Sequence, residues 1–158
     1  MTVNVLLDGL KSFIEENTKD IILPVRLVKN KTTPEYEKRK GEDVTHRPPK
    51  VYKMRLPTKE AETNEIPYIL LQFLTGKDQQ KPGEPPDSEC HIRIIVATYS
   101  EDGSEGAGDL LNVLVRIRTA LLKAGVVGNQ FLLRKPLEYY SNFTFNLLRN
   151  PSAKPHRL

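Results

Sequence analysis

"ATYSEDGSEGAGDLLNVLVRIRTALL", residues 97–122, is the stretch on which the reading of this chain turns. An apolar run breaks into acids and glycines, then resumes with helical spacing. The turn Ser100–Gly108 could cradle a phosphate or a metal, or it could simply carry a strand into a helix. Gly103, Gly106 and Gly108 do not fit G-x-G-x-x-G, and no Gly-Lys-Ser/Thr follows them. Glu101, Asp102, Glu105 and Asp109 would repel a phosphate from the place it must occupy. As calcium ligands, the same acids lack the alternation and distal glutamate of an EF-hand. Helix entry accounts for them better. Asp102 or Ser104 can cap free N–H groups, and acids in a first turn favour the positive end of the helix dipole. The expectation is a strand-to-helix passage with no metal and no cofactor.

Working outward from the turn, Leu110, Val113, Leu114, Ile117, Leu121 and Leu122 form a helical stripe. Asn112, Arg116, Thr119 and Lys123 point away from it, and Gly125 stands where a C-cap belongs. Upstream, "CHIRIIVATY" (90–99) puts Ile92, Ile94 and Val96 on one strand face and His91, Arg93, Ile95, Ala97 and Tyr99 on the other. "PYILLQFL" (67–74) is apolar on both faces apart from Gln72, as a central strand is. "KVYKMRL" (50–56) alternates like a half-buried strand. "QFLLR" (130–134) and "YSNFTFNLL" (140–148) supply two more strands. Near the start, Val3, Leu6, Leu7, Leu10, Phe13 and Ile14 recur at three- and four-residue steps. They predict a helix over 3–17 with Thr2 as its N-cap.

Two long segments interrupt this pattern. Residues 29–50 hold almost nothing apolar and carry seven basic against four acidic side chains, a net +3. Such a stretch cannot bury enough surface to offset its own ordering entropy. Residues 75–89, "TGKDQQKPGEPPDSE", combine glycine, proline and charge and read as a second mobile loop. The expected organisation is one domain over 1–148 with mobile loops 29–50 and 75–89, and a flexible tail over 149–158. The fold class is α+β: a mainly antiparallel sheet of about four to five strands with both helices packed on one face.

Composition narrows function. The 158 residues carry a formal net charge of +4, a mild excess for a dedicated nucleic-acid binder. A single cysteine, Cys90, leaves no internal disulfide and fits a reducing compartment. No apolar run approaches the ~18 residues needed to cross a membrane, and no secretory leader is visible. Cys90 and His91 would suit a nucleophile and base, but neighbours in a strand point to opposite faces. His46 and His156 lack metal-ligand spacing. Lys38-Arg39-Lys40, with Lys154, His156 and Arg157, could make phosphate contacts. Acids interleave the arm, however, and no aromatic stacking platform accompanies it. The chain therefore reads as no enzyme, with no catalytic, cofactor or metal site and no specific nucleic-acid partner.

"PKVYKMRLP", "PYILLQFLTG", "HIRIIVATYSEDGSEGAGDLLNVLVRIRTALL" and "FLLRKPLEYY" together resemble the tail-terminator proteins of long-tailed bacteriophages and prophages, also called tail-completion or minor tail proteins. The resemblance spans roughly residues 49–140 and is most specific in the strand ending near Tyr99, the acidic glycine turn and "DLLNVLVRIRTALL". It implies an α+β fold and assembly into a hexameric ring. Such a ring caps the head-proximal end of the tail tube, stops polymerisation and joins tail to head. The implied partners are other copies of the chain, the tail tube protein and head–tail connector or neck proteins. The implied location is the virion tail, assembled in the bacterial host cytoplasm. A neck or head-closure connector of the same particle is the nearest alternative, and a basic-armed nucleic-acid-binding domain is the alternative of another class.

Overall fold

A computed structural model of the chain describes residues 2–25, 46–57, 66–100 and 103–140. Its elements, in chain order, are α1 (Val3–Thr18), β1 (Leu23–Pro24), β2 (His46–Arg47), β3 (Lys50–Lys53), β4 (Tyr68–Gln79), β5 (Asp87–Ala97), α2 (Gly103–Ala124), β6 (Val126–Val127) and β7 (Phe131–Leu132). The fold is α+β, with two helices among the described residues.

The apolar stripe of α1 is why it folds where it does. Leu6, Leu7, Leu10 and Ile14 are buried, and Val3 and Phe13 pack at their margin. Thr2 stands at the N-cap with extended backbone but makes no side-chain cap bond. Its carbonyl accepts from Val5 and Leu6 N–H instead. The helix runs one residue past the expected end. Thr18 is buried there and its hydroxyl donates to the Ile14 carbonyl at 2.8 Å, so no polar atom is stranded.

β4 is the central strand, with β3 on one side and β5 on the other. β5 pairs with it antiparallel, from Tyr68↔Ala97 to Gln79↔Asp87. β3 pairs with it in parallel, Lys50↔Tyr68 to Lys53↔Leu71. Among the described residues the main sheet is mixed and three-stranded; three of the four strand pairings are antiparallel, as expected, and β3 is the exception. β1–β2 and β6–β7 are separate two-residue antiparallel ladders. The physical reason lies in the connection: β3 is joined to β4 by a segment long enough for a crossover, which a parallel neighbour requires.

Alternation assigns the two sheet faces. Val51, Ile69 and Leu71 lie on one face with Ile92, Ile94 and Val96. That face meets Leu7, Leu10 and Ile14 of α1 and Val113, Ile117 and Leu121 of α2, forming one core cluster. Tyr52, Leu70 and Ile95 make a row across the other face. Lys53 forms an ion pair with Asp8 of α1, and Arg116 of α2 holds Asp20, just past the end of α1, at 3.0 Å.

Strands take up part of both segments expected to be mobile. β4 continues to Gln79 and β5 begins at Asp87, so the 75–89 loop shrinks to 80–86. The far end of the 29–50 arm enters strands. His46 and Arg47 pair with Pro24 and Leu23, and Arg47 also donates to the Pro67 carbonyl at 2.9 Å. Residues 29–45, the tail 149–158 and all but Tyr140 of the expected 140–148 strand lie outside the described residues.

Candidate interaction surface

From Gly103 onward the acidic glycine stretch belongs to α2. The Thr98 hydroxyl donates to the Gly106 carbonyl at 3.2 Å, binding the strand end to the first helical turn. A Cβ at residue 106 would stand 2.9 Å from the Ser100 Cβ, too close for any side chain, so glycine is what permits this approach. Gly125 ends the helix at φ +67, where its N–H donates to the Leu121 carbonyl at 2.9 Å. Of the four acids in the turn, Glu105 lies in the first turn of α2 and Asp109 further along it. Glu101 and Asp102 lie outside the described residues. Among the described residues, no group of three or more His, Cys, Asp or Glu is placed to hold a metal ion.

Cys90 pairs with Gly76 and His91 with Thr75, so the register sends the two side chains to opposite faces. Cys90 is half-buried, and that burial pushes its thiol up from the usual value, away from the reactive thiolate. His91 is exposed, as expected. His46 sits in β2, and His156 lies outside the described residues.

Two surface features emerge that periodicity did not announce. The first is a ribbon. Beyond Leu71 the central strand has lost β3 and keeps only β5, so Gln72–Gln79 and Asp87–Arg93 form a two-stranded arm leaving the body. At the rise of a strand the arm extends roughly 20 Å. Residues 74–87 are exposed throughout. A bulge between Phe73 and Thr75 bends it where it departs. Toward its tip the pairs are polar, Lys77 opposite Glu89, Asp78 opposite Ser88 and Gln79 opposite Asp87, and Glu89 forms an ion pair with Arg134 just past β7.

The second feature is the outer side of α2. Near its C-terminal end a shallow groove of about 570 Å³ is lined by Arg118, Leu122, Lys123, Lys135, Pro136 and Tyr139, among others. The Arg118 guanidinium lies 4.7 Å from the centre of the Tyr139 ring, a cation–π contact. Leu122, expected in the core stripe, instead faces out beside Leu111 and Val115. Among the described residues, no helix is long and apolar enough to cross a membrane.

Compared with known proteins, the chain matches no family model, no curated protein and no solved structure. The case for function therefore rests on the residues and on the shape they build. The ribbon could have been found in the sequence. Thr75–Gln79 and Asp87–Glu89 sit symmetrically about Pro82-Gly83, a turn signal between two polar strands.

Proposed function

We propose that this chain is a structural protein of a phage tail. It caps the head-proximal end of the tail tube, ends tube polymerisation and joins the tail to the head, acting as a hexameric ring. Its partners are further copies of itself, the tail tube protein and the neck proteins above it. The observation that carries this reading is the β4–β5 ribbon. Among the described residues no third strand and no helix lies across this two-stranded arm, and such an arm is marginal in water by itself. Its polar cross-strand pairs suit it to lie against a neighbouring subunit. Head-to-tail contacts of that kind close into a ring when the rotation per subunit allows. The stretches that carry the resemblance to tail terminators form β3, β4, β5, α2 and β7, the body that would present such an arm.

The test is tail assembly with the full chain and with residues 77–86 deleted, scored by negative-stain microscopy for rings and for tube length. The expected result is rings and tubes of uniform length with the intact chain, and overgrown tubes with the deletion. Uniform, capped tubes with the deletion would remove the ribbon from the argument. Tubes of normal length that fail to join heads when the protein is missing would assign it to the neck instead.

A further inference from the structure

The outward side of α2 carries a second apolar stripe that the core does not use. Ser104, Gly108, Leu111, Val115, Arg118 and Leu122 recur at alternating steps of four and three. That is the spacing of a seam between two helices. Leu111, Val115 and Leu122 are 48%, 50% and 39% exposed, while Val113, Ile117 and Leu121 fill the core from the opposite side.

Gly108 is an independent sign of something missing from this side. It lies within the helix, where glycine costs about 1 kcal/mol relative to alanine. Among the described residues nothing lies within 4 Å of where its Cβ would stand, so none of them gives a steric reason for a glycine.

Charge along the stripe names the occupant. Glu105 flanks its beginning and Lys123 its end, about five helical turns away and therefore on the same flank. Neither forms an ion pair among the described residues. When the helix is laid end for end on a second α2, the stripe matches itself. Leu111 meets Val115, Arg118 meets the space left by Gly108, and Leu122 meets Ser104. Glu105 comes alongside Lys123 at both ends, and the helix dipoles run antiparallel.

We propose that this face takes a second copy of the chain through an antiparallel, two-fold α2–α2 contact. Gly108 provides the room for Arg118, whose guanidinium is already braced on Tyr139. A two-fold contact closes at two copies. It is therefore separate from the head-to-tail ring, and either can fail without the other.

The test is sedimentation equilibrium of the full chain from about 1 µM to about 1 mM, the range of a modest interface. The expected result is a monomer–dimer equilibrium, or a doubled ring where rings form. Val115→Glu weakens that association at least about tenfold, with no change in the thermal midpoint of dilute protein. Glu105→Lys and Lys123→Glu each weaken it, and the two together restore it. Four results overturn the proposal: no twofold association across the range, a Val115→Glu variant that still pairs, a charge swap that does not rescue, or a lower midpoint for dilute Val115→Glu. The last would mean that another part of the same chain covers the stripe. Fluorescence anisotropy with a labelled single-stranded oligonucleotide completes the experiment. Binding abolished by Lys123→Glu in a chain that does not pair would give the face to nucleic acid.

Discussion

The two helices pack on the same sheet face, yet they dispose of their apolar residues differently. α1 turns Leu6, Leu7, Leu10 and Ile14 inward and leaves Val5 as its one large exposed hydrophobic residue. α2 turns Val113, Ile117 and Leu121 inward and leaves Leu111, Val115 and Leu122 outside. Where α1 serves only the body, α2 divides itself between the body and whatever meets its outer side. A helix that is apolar on two sides has two things to bury. The contrast separates residues that hold the fold from residues that are free to bind.

The largest effect should come from the helix that serves only the body. Ile14 is fully buried in the core cluster. Ile14→Ala should destabilise the protein by about 2–5 kcal/mol, the range for deleting a buried aliphatic side chain and leaving a cavity. Chemical denaturation reads this directly. A loss as small as that of a surface substitution would break the distinction between the helices.

Two glycines of α2 sharpen the comparison next. At Gly106 a methyl group would collide with Ser100, and Gly106→Ala should cost about 1–3 kcal/mol through overpacking. At Gly108 no described residue comes within 4 Å of an added Cβ, and Gly108→Ala should raise the stability of dilute protein by about 1 kcal/mol. Opposite signs within a single turn of helix are the expected outcome of thermal unfolding of both variants. Equal signs would mean that the two sides of α2 do not differ as described.

The smallest effect concerns the tie between the helices. The hydrogen bond from Arg116 holds the Asp20 carboxyl below its usual 3.8, with backbone hydrogen bonding and the nearby charge of Lys19 acting the same way. A lowered carboxyl stabilises the fold at all pH above its unfolded value, and that contribution is lost as pH falls through the folded value. Asp20→Asn should therefore be slightly less stable than the parent at neutral pH; the difference should begin to shrink as pH falls to 3.8 and vanish only below the lowered folded value. A gap that persists in acid would point to a structural role for Asp20 instead of a charge-based one. The pair is exposed, so solvent screening keeps the effect small.

Both helices and the centre of the sheet were legible in the sequence. The period of α1 named its buried residues, and Gly125 marked the end of α2. The doubly apolar "YILLQFL" placed β4 in the middle of the sheet. The alternation of Ile92, Ile94 and Val96 named the core side of β5. The candidate surface was far less legible. Leu122 fits an inward stripe with Leu114 and Leu121 as well as it fits an outward one with Leu111 and Val115, because α2 has apolar residues on both sides. In the sequence the ribbon reads as a loop because its strands are polar toward the tip. Strands are recognised by their buried face, and this one has none. The β6–β7 hairpin was only half seen. Its turn residues Gly128 and Asn129, both at positive φ, were the available signal.

Helical and strand character followed from residues a few places apart, since repeat spacing and capping are local properties of the chain. The parallel docking of β3, the length of the β4–β5 arm and the side of α2 left open were not local matters. Each depends on which distant segment completes a ladder or covers an apolar stripe. Val51 finds Ile69, and Gly76 finds Cys90. A pattern of polar and apolar residues shows that a face exists, and only packing shows whether the chain itself has filled it.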